Sequence, residues 1–554
     1  MLPHQYAVYN LKSWIPTPLS DKLCRIKMNI TAGLRKQSSR AARAAMKVLF
    51  VRTPRYVWPF NSETSAFWQP LGFMSLAGRL EAARPDFSIR IIDCAASKIG
   101  WKTLFSTLDS DSPDVICLGE ETVSSHEAIR LAHYVKEQHP ETIIIAGGVF
   151  FSNAAEQSLG DGFIDYIVHG EGEITLLELL TAIADRRDIK SIKGISYKPD
   201  GQIIRTTDRP PIPDMDSLPM PAWSKVPMHL YGLGSKNHPS LVSIEHSRGC
   251  TDNCSFCTLW KHMGKPSRDG KTIKPYYRTK SPERSLEEVA RLVRDFDRST
   301  FGWVDPTWNA DPKWTDEFCA ALLKRNIKVR QTAWLRADCV VRDEELGILE
   351  KAVRAGLCQV MIGVERPDEP GLKELNKHAN GPDITAKAFE IFHKKYPNVF
   401  TIGSVIFGLW DETKKSLVQL SDYQYKVDMD YCFFIPLTPN PGTKVYDDAR
   451  KRGIIEVTDR RAYNFHTPVM RTRRFSAKQL ESLYFKLLFG ASFNRITYLL
   501  SKLFNLKDRR RRRVFKSLLK YGAQIAGRYI VSRLRAPFSN KPTIYSRKPK
   551  WYDS

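Results

Sequence analysis

The chain has 554 residues, 42% of them hydrophobic, and 85 Lys and Arg against 60 Asp and Glu, a net charge of +25. That length allows roughly three or four domains with real cores. No apolar run reaches about 18 residues, which excludes a membrane-spanning helix. Pro3 and the polar residues around Tyr9 likewise interrupt any secretory signal core. The basic excess implies attraction to nucleic acid, anionic lipid or an acidic substrate, or else a solvated basic surface. Seven cysteines, Cys24, Cys94, Cys117, Cys319, Cys339, Cys358 and Cys432, are scattered singly and mostly within apolar runs. They read as reduced core residues of a cytoplasmic protein.

Residues 1–45 are basic, with Asp21 the only acid, and read as a disordered extension. A transit peptide or an upstream start ahead of Met46 would look the same. From Met46 short apolar runs alternate with helical segments. Strands are expected at Lys47–Val51, Ile89–Asp93, Val115–Gly119, Ile143–Gly148 and Asp165–Val168. Helices are expected near Leu71–Glu81, Trp101–Leu108, Ser125–Gln138 and Ile174–Ile183. The alternation predicts a doubly wound parallel sheet over residues 46–188. Such a sheet binds ligands past the carboxyl ends of its strands. Those ends hold Gly119-Glu120-Glu121-Thr122-Val123-Ser124, Gly147-Gly148 and Gly170-Glu171-Gly172-Glu173. The paired glycines let backbone approach a large flat ligand.

Residues 189–240 connect two halves. A hairpin is expected around Asp200-Gly201, followed by a proline-rich extended linker through Pro210-Pro211, Pro219 and Pro221. Next comes a β-prone run, Leu241–Glu245, and the loop Ser247-Arg248-Gly249-Cys250-Thr251-Asp252-Asn253-Cys254-Ser255-Phe256-Cys257. Three thiolates this close can hold an iron–sulfur cluster and leave one iron without a protein ligand. Structural zinc would need a fourth ligand, for which His246 and His262 are the candidates. Zinc sites usually bring two separated Cys pairs, and no second pair exists here. Three inert core thiols are the remaining alternative.

Cys-x3-Cys-x-aromatic-Cys, with Phe256 as the aromatic residue, resembles the cluster loop of the radical S-adenosylmethionine (SAM) enzymes. The resemblance implies that Cys250, Cys254 and Cys257 hold a [4Fe-4S] cluster whose open iron chelates SAM, and that Phe256 adjoins the SAM site. Placed ahead of this loop, the sheet domain resembles the cobalamin-binding domain of one radical SAM subclass, and Leu218-Pro219-Met220-Pro221-Ala222-Trp223 is similar to that subclass. Glu120, Ser124, Gly147, Gly148, Gly170, Glu171 and Gly172 are then the candidate cobalamin residues. The Asp-x-His-x-x-Gly motif of other cobalamin domains is missing, because Arg52-Thr53-Pro54-Arg55-Tyr56-Val57-Trp58-Pro59 follows the first strand. Cobalamin bound here should lack a protein imidazole as its lower ligand.

From 241 to about 450 six βα units are expected, a partial (β/α)6 radical SAM barrel. Strands should begin at Leu241, Phe301, Val329, Gln359, Thr401 and Tyr431. Helices should lie near 285–297, 314–325, 343–355, 382–395 and 413–426. Barrel chemistry sits at the carboxyl ends of the strands. The resemblance makes Asp305, Arg336 and Glu365 the SAM candidates there; a salt-bridge ring around the mouth is the plainer alternative. Arg366-Pro367 stands where relatives often have Ser-Gly.

Residues 451–536 read as a helical basic region, and 537–554 as a disordered tail. Leu480, Leu483, Leu487 and Leu488 recur at helical spacing, as do Phe515, Leu518, Ile525 and Tyr529, with Arg509–Arg513 between the two stretches. This pattern suits a helix on an anionic membrane surface or a cap packed on the barrel. No nucleic-acid fold signature accompanies the charge.

Together these readings imply an anaerobic cobalamin-dependent radical SAM methyltransferase. It would move a methyl group from methylcobalamin to an unactivated carbon, with flavodoxin or ferredoxin as reductant. Gly100–Leu104, Thr279–Arg284 and the basic tail are most similar to hopanoid C-3 methylases, which act on membrane triterpenoids. Peripheral contact with the inner membrane face follows from that likeness. The alternatives are an oxidative cyclase similar to the anaerobic Mg-protoporphyrin IX monomethyl ester cyclase, and a cobalamin-binding sensor without catalysis.

Overall fold

The apolar runs of the first half become strands because each is buried on both faces. Val48 and Phe50 enter one core, whereas Leu49 and Val51 enter another with Trp101, Leu104 and Leu131. The computed structural model describes residues 45–56, 68–232, 240–267, 272–378, 381–489, 497–498, 500–501, 504, 509–543 and 548–554. The expectations for residues 1–44 and for Val57-Trp58-Pro59 lie outside them, as do those for the side chains of Leu487, Leu488 and Ile525. β1 (Lys47–Arg52), β2 (Ser88–Asp93), β3 (Val115–Gly119), β4 (Ile143–Gly147) and β5 (Tyr166–Val168) are parallel. The expected hairpin is β6 (Ile195–Tyr197) with β7 (Ile204–Arg205), added antiparallel to β5. The order β2-β1-β3-β4-β5-β6-β7 reverses direction between β1 and β3, which marks their carboxyl ends as the ligand crevice.

The second sheet is β8 (Leu241–Ile244), then β13 (Thr300–Trp303), β14 (Arg330–Leu335), β15 (Leu357–Glu365), β16 (Phe400–Phe407) and β17 (Tyr431–Pro436), parallel and in consecutive order. Between β8 and β13 stand two short antiparallel ladders. One joins β9 (Ser247–Arg248) to β12 (Arg278–Thr279), the other β10 (Lys265–Pro266) to β11 (Ile273–Lys274). Helices Pro282–Phe296, Pro312–Lys324, Pro382–Lys395 and Lys414–Lys426 fall where they were expected. The helix expected near 343–355 is two, Ala337–Glu345 and Ile348–Arg354, parted at Gly347.

One apolar core runs from Val48 and Phe50 through Trp223 and Tyr231 to Val242 and Phe301, and Met46–Ser554 is one compact unit. On β15 and β16 the side chains of Val360, Ile362, Val405 and Phe407 share this core with Phe389, Phe392 and Leu420 of the helical layer. The alternate residues Met361, Phe400 and Ile402 instead meet Val514, Phe515, Leu518 and Leu519. The helix Arg509–Arg535 therefore packs on the inner face of the open barrel. Arg509–Arg513 forms its first turns rather than a link between helices. Arg511 is bonded to Asp430 at 2.5 and 2.6 Å.

The disordered tail expected over 537–554 is not what residues 548–554 form. Lys550–Asp553 is a helical turn, and Tyr552 is buried against the first domain, its hydroxyl 2.7 Å from Glu127.

Candidate functional site

The cysteine loop is fixed from below by Asp305 at the end of β13. Its Oδ1 accepts from the His246 and Ser247 amides at 3.0 and 2.6 Å, and from the Ser247 hydroxyl at 2.6 Å. Gly249, at φ +83°, has no room for a side chain because a Cβ would overlap the Tyr276 carbonyl. Around the rim, Ser255 N–H donates to the Leu375 carbonyl at 3.0 Å and Trp260 Nε1 to the Cys254 carbonyl at 3.0 Å. Phe256 packs with Leu375, Ile406, Leu409 and Leu437 and so anchors the loop on the barrel mouth.

Cys250, Cys254 and Cys257 all carry free thiols. The Asp252 amide points at Cys250 Sγ from 3.4 Å. Burial pushes the Cys254 thiol up to about 12 and raises that of Cys257. Lys377 stands beside the loop. Burial opposes its charge, but Glu365 and then Cys254, Asp252 and Cys250 outweigh that and raise its pKa. A buried ammonium and inward amides suit thiolates that carry the net negative charge of a cluster. Of the two candidate fourth ligands for zinc, His246 is fully buried, stacked on Trp314 with ring centroids 3.6 Å apart and 2.9 Å from Asp305. His262 lies beside Gly170 of the first sheet. Three free thiols on one loop, with the Asp252 amide and the Lys377 ammonium beside them, are a donor set that fits an open cluster.

The three rim candidates separate. Arg336 reaches Thr251 of the loop at 2.5 Å and lies 3.7 Å from Asp252, while Asp338 pairs with it at 2.6 Å. Glu365 sits at a bulge of β15 with φ +60° and faces Lys377 at 3.7 Å. Burial lifts its carboxyl above the ordinary range, an effect that Lys377 only partly offsets. Both flank the cysteines. Asp305 lies beneath the loop: its side chain is 0% exposed and bonded to the loop backbone, which it positions. Arg366 is likewise structural, bonded to Glu412 at 3.0 Å.

On the first sheet, Gly119 and Gly147 are in register at the ends of β3 and β4, and Gly148 and Gly170 follow with positive φ. This backbone shelf at the ends of β3, β4 and β5 borders the β1/β3 crevice and fits a large flat ligand. Beneath it Glu120 is buried and accepts from Arg55 at 2.5 Å, Ser124 at 2.7 Å and Thr53 at 3.3 Å. Glu120 and Ser124 thus brace the loops and leave the shelf to backbone. Gly172 is a packing residue, since a Cβ there would press on Leu76 at 2.9 Å. Glu171, a cobalamin candidate from the sequence, turns its carboxylate to the second domain. It accepts from the Ile212 amide at 2.7 Å, is paired with Arg278, and lies 3.5 Å from Arg248. Glu173 holds Arg248 at 2.7 Å and the Ser75 hydroxyl at 2.8 Å. Arg248, two residues before Cys250, is therefore gripped by the sheet domain. Sequence reasoning missed Arg248, Lys377 and Arg55; only the position of Arg248 inside the cysteine motif could have signalled it.

Comparison with known proteins places these features. Residues 59–180 match the B12 binding domain and residues 244–423 the radical SAM superfamily. An uncharacterised methyltransferase of Pyrococcus horikoshii is 26% identical over 75% of the chain and 85% of its own length. The anaerobic magnesium-protoporphyrin IX monomethyl ester cyclase of Rubrivivax gelatinosus is 29% identical, covering 77% and 74%. Hopanoid C-3 methylase of Methylococcus capsulatus is 26% identical, covering 73% of each. Among solved structures, the cobalamin-dependent SAM radical enzyme OxsB superposes with a TM-score of 0.64 at 17% identity, over 88% of this chain and 73% of that one.

A B12 binding domain followed by a radical SAM domain defines the class, and this chain has both in that order. It carries the domain pair of the cobalamin-binding radical SAM enzymes, and its cofactors are a [4Fe-4S] cluster, SAM and cobalamin.

Proposed function

We propose that the enzyme is a methyltransferase that adds a methyl group to an unactivated carbon of a hopanoid or another membrane-associated lipid. The observation that carries this reading is the grip of Glu171 and Glu173 on Arg248 and Arg278. It ties the loop after β5 to the cysteine loop, which would let ligands of the two domains share one space. Bound there, the cofactors supply an adenosyl radical and a transferable methyl group, chemistry that the protein positions and shields. Arg336 and the Glu365–Lys377 pair set the charge around the cysteines. Phe256, Leu375 and Leu437 exclude water from the same rim. The likeness to the Pyrococcus and Methylococcus proteins supports methyl transfer, and the latter supports a triterpenoid substrate.

A second reading, oxidative ring closure on magnesium-protoporphyrin monomethyl ester, is favoured by the 29% identity to the Rubrivivax cyclase. A flavodoxin or ferredoxin would serve as reductant in either case. Anaerobic reconstitution with SAM, cobalamin and a reductant tests for catalysis: release of 5′-deoxyadenosine is expected, and cobalamin binding without it would leave only a sensor. Lipid and pigment analysis of a deletion strain then separates the two reactions. Loss of a methylated hopanoid supports the first; a stalled porphyrin ester rejects it in favour of the second.

A further inference from the structure

The helix Arg509–Arg535 has a feature that the catalytic reading leaves unused. Arg509–Arg513 open it, Lys516, Lys520, Arg528, Arg533 and Arg535 follow, and it contains no Asp or Glu. Its apolar stripe expected from sequence is covered. Phe515 is fully buried on the barrel's inner face, and Tyr529 stacks on Phe485 with centroids 3.9 Å apart. A different apolar set is bare at the far end. Ile530 is 56% exposed, Val531 45%, Leu534 76%, and Phe538 just beyond the helix 95%. Residues 530, 531 and 534 share one helical face. Lys516, Lys520, Arg535 and Lys541 are exposed along the same segment.

Large side chains this bare in water, grouped and rimmed by one sign of charge, mark an interaction surface. The charge selects the occupant. A second copy of the chain would bring two cationic helices together. A nucleic acid would engage the arginines but leave the four apolar side chains wet. An anionic bilayer satisfies both groups at once, phosphates at the cations and acyl chains at the tip. No described helix is long and apolar enough to cross a membrane, so the contact is one of surface insertion. We infer that Ile530, Val531, Leu534 and Phe538, with the flanking Lys and Arg residues, dock the enzyme on an anionic lipid surface. The inference does not depend on the proposed substrate, since it is read without cofactors or turnover.

The test is sedimentation of the full chain with vesicles of phosphatidylcholine alone or mixed with phosphatidylglycerol. Binding is expected only to the mixed vesicles, and it should weaken as salt is raised. L534S/F538S should lower the partition at least about tenfold, as expected for losing two inserted apolar side chains. R535Q/K541Q should weaken it by a smaller factor. Circular dichroism should show the wild-type fold in both variants. Equal binding to neutral vesicles, or equal sedimentation of wild type and L534S/F538S, would overturn the proposal. So would a wild-type dimer in light scattering that L534S/F538S converts to monomer, because the surface would then be a self-interface.

Discussion

Arg248 carries the charge that ties the cysteine loop to the first domain. It is buried between Glu173 and Glu245, each at 2.7 Å. Burial opposes the guanidinium, but Glu245 and Glu173 more than offset this and raise its pKa above the ordinary arginine value. Burial likewise opposes the Glu173 carboxylate, yet Arg248 and Ser75 outweigh it and hold its pKa below the ordinary range. Glu173→Gln should therefore cost about 1–3 kcal/mol at neutral pH in urea unfolding, as for a buried charged hydrogen bond lost. In the wild type the Glu173 contribution is complete above the ordinary glutamate value of about 4.3 and is lost as pH falls through its lower folded value. The variant should lack that part of the acid limb. Buried His466 acts at higher pH, because burial pushes its pKa down to about 3. Below about 6.5 the unfolded chain takes a proton that the folded chain refuses, so stability is lost from there down to about pH 3. His466→Gln should show a shallower fall of melting temperature across that window. The three cysteines were legible because thiols at that spacing have few other uses. The partners of Asp305 and Glu171 were not legible, because a strand-end position does not tell whether a carboxylate turns to a ligand or to the neighbouring backbone. Lys377 comes from a loop that only folding brings to the cysteines.

Elements built from continuous apolar runs were readable to within a residue or two, since burial on both faces leaves a run of Val, Ile and Leu. What covers an element was only partly readable. The stripe of Phe515 and Leu518 shows a buried helical face and left two coverings open, a membrane surface or the barrel; the fold supplies the inner wall of the barrel. Phe515→Ala should therefore destabilise the barrel by about 3–5 kcal/mol, measured as a shift in the unfolding midpoint. The segment 548–554 was misread for the opposite reason: it is short and polar, and its order comes from one docking site. Tyr552 bonds Glu127 at 2.7 Å and meets the Tyr56 ring edge-on at 4.9 Å, and the Thr103 amide donates to the Ser554 carbonyl at 3.1 Å. Gly100 permits that approach, since a Cβ there would overlap the Trp551 and Ser554 backbone. Gly100→Ala should release the segment, seen as rapid amide exchange over residues 548–554 while the sheet stays protected. Continued protection would refute the docking role of Gly100.

At the scale of the whole molecule, a common apolar core and a buried set of ion pairs hold the glycine shelf and the cysteine loop in one arrangement. Two domains that must share a substrate need such a fixed relation, because a misplacement of about 1 Å at the reacting atoms can lower the rate by about 10²-fold. Domain order and motif spacing made this partnership legible in sequence; the residues that enforce it became visible only in the fold. All of it presumes that Cys250, Cys254 and Cys257 bind a cluster with one iron left for SAM. The direct measurement is electron paramagnetic resonance of the anaerobically reconstituted, reduced protein before and after SAM is added, alongside metal analysis. A [4Fe-4S] signal that shifts on SAM addition, and is lost in Cys254→Ala, is the predicted result. Bound Zn²⁺, or a cluster signal that SAM leaves unchanged, would contradict the account.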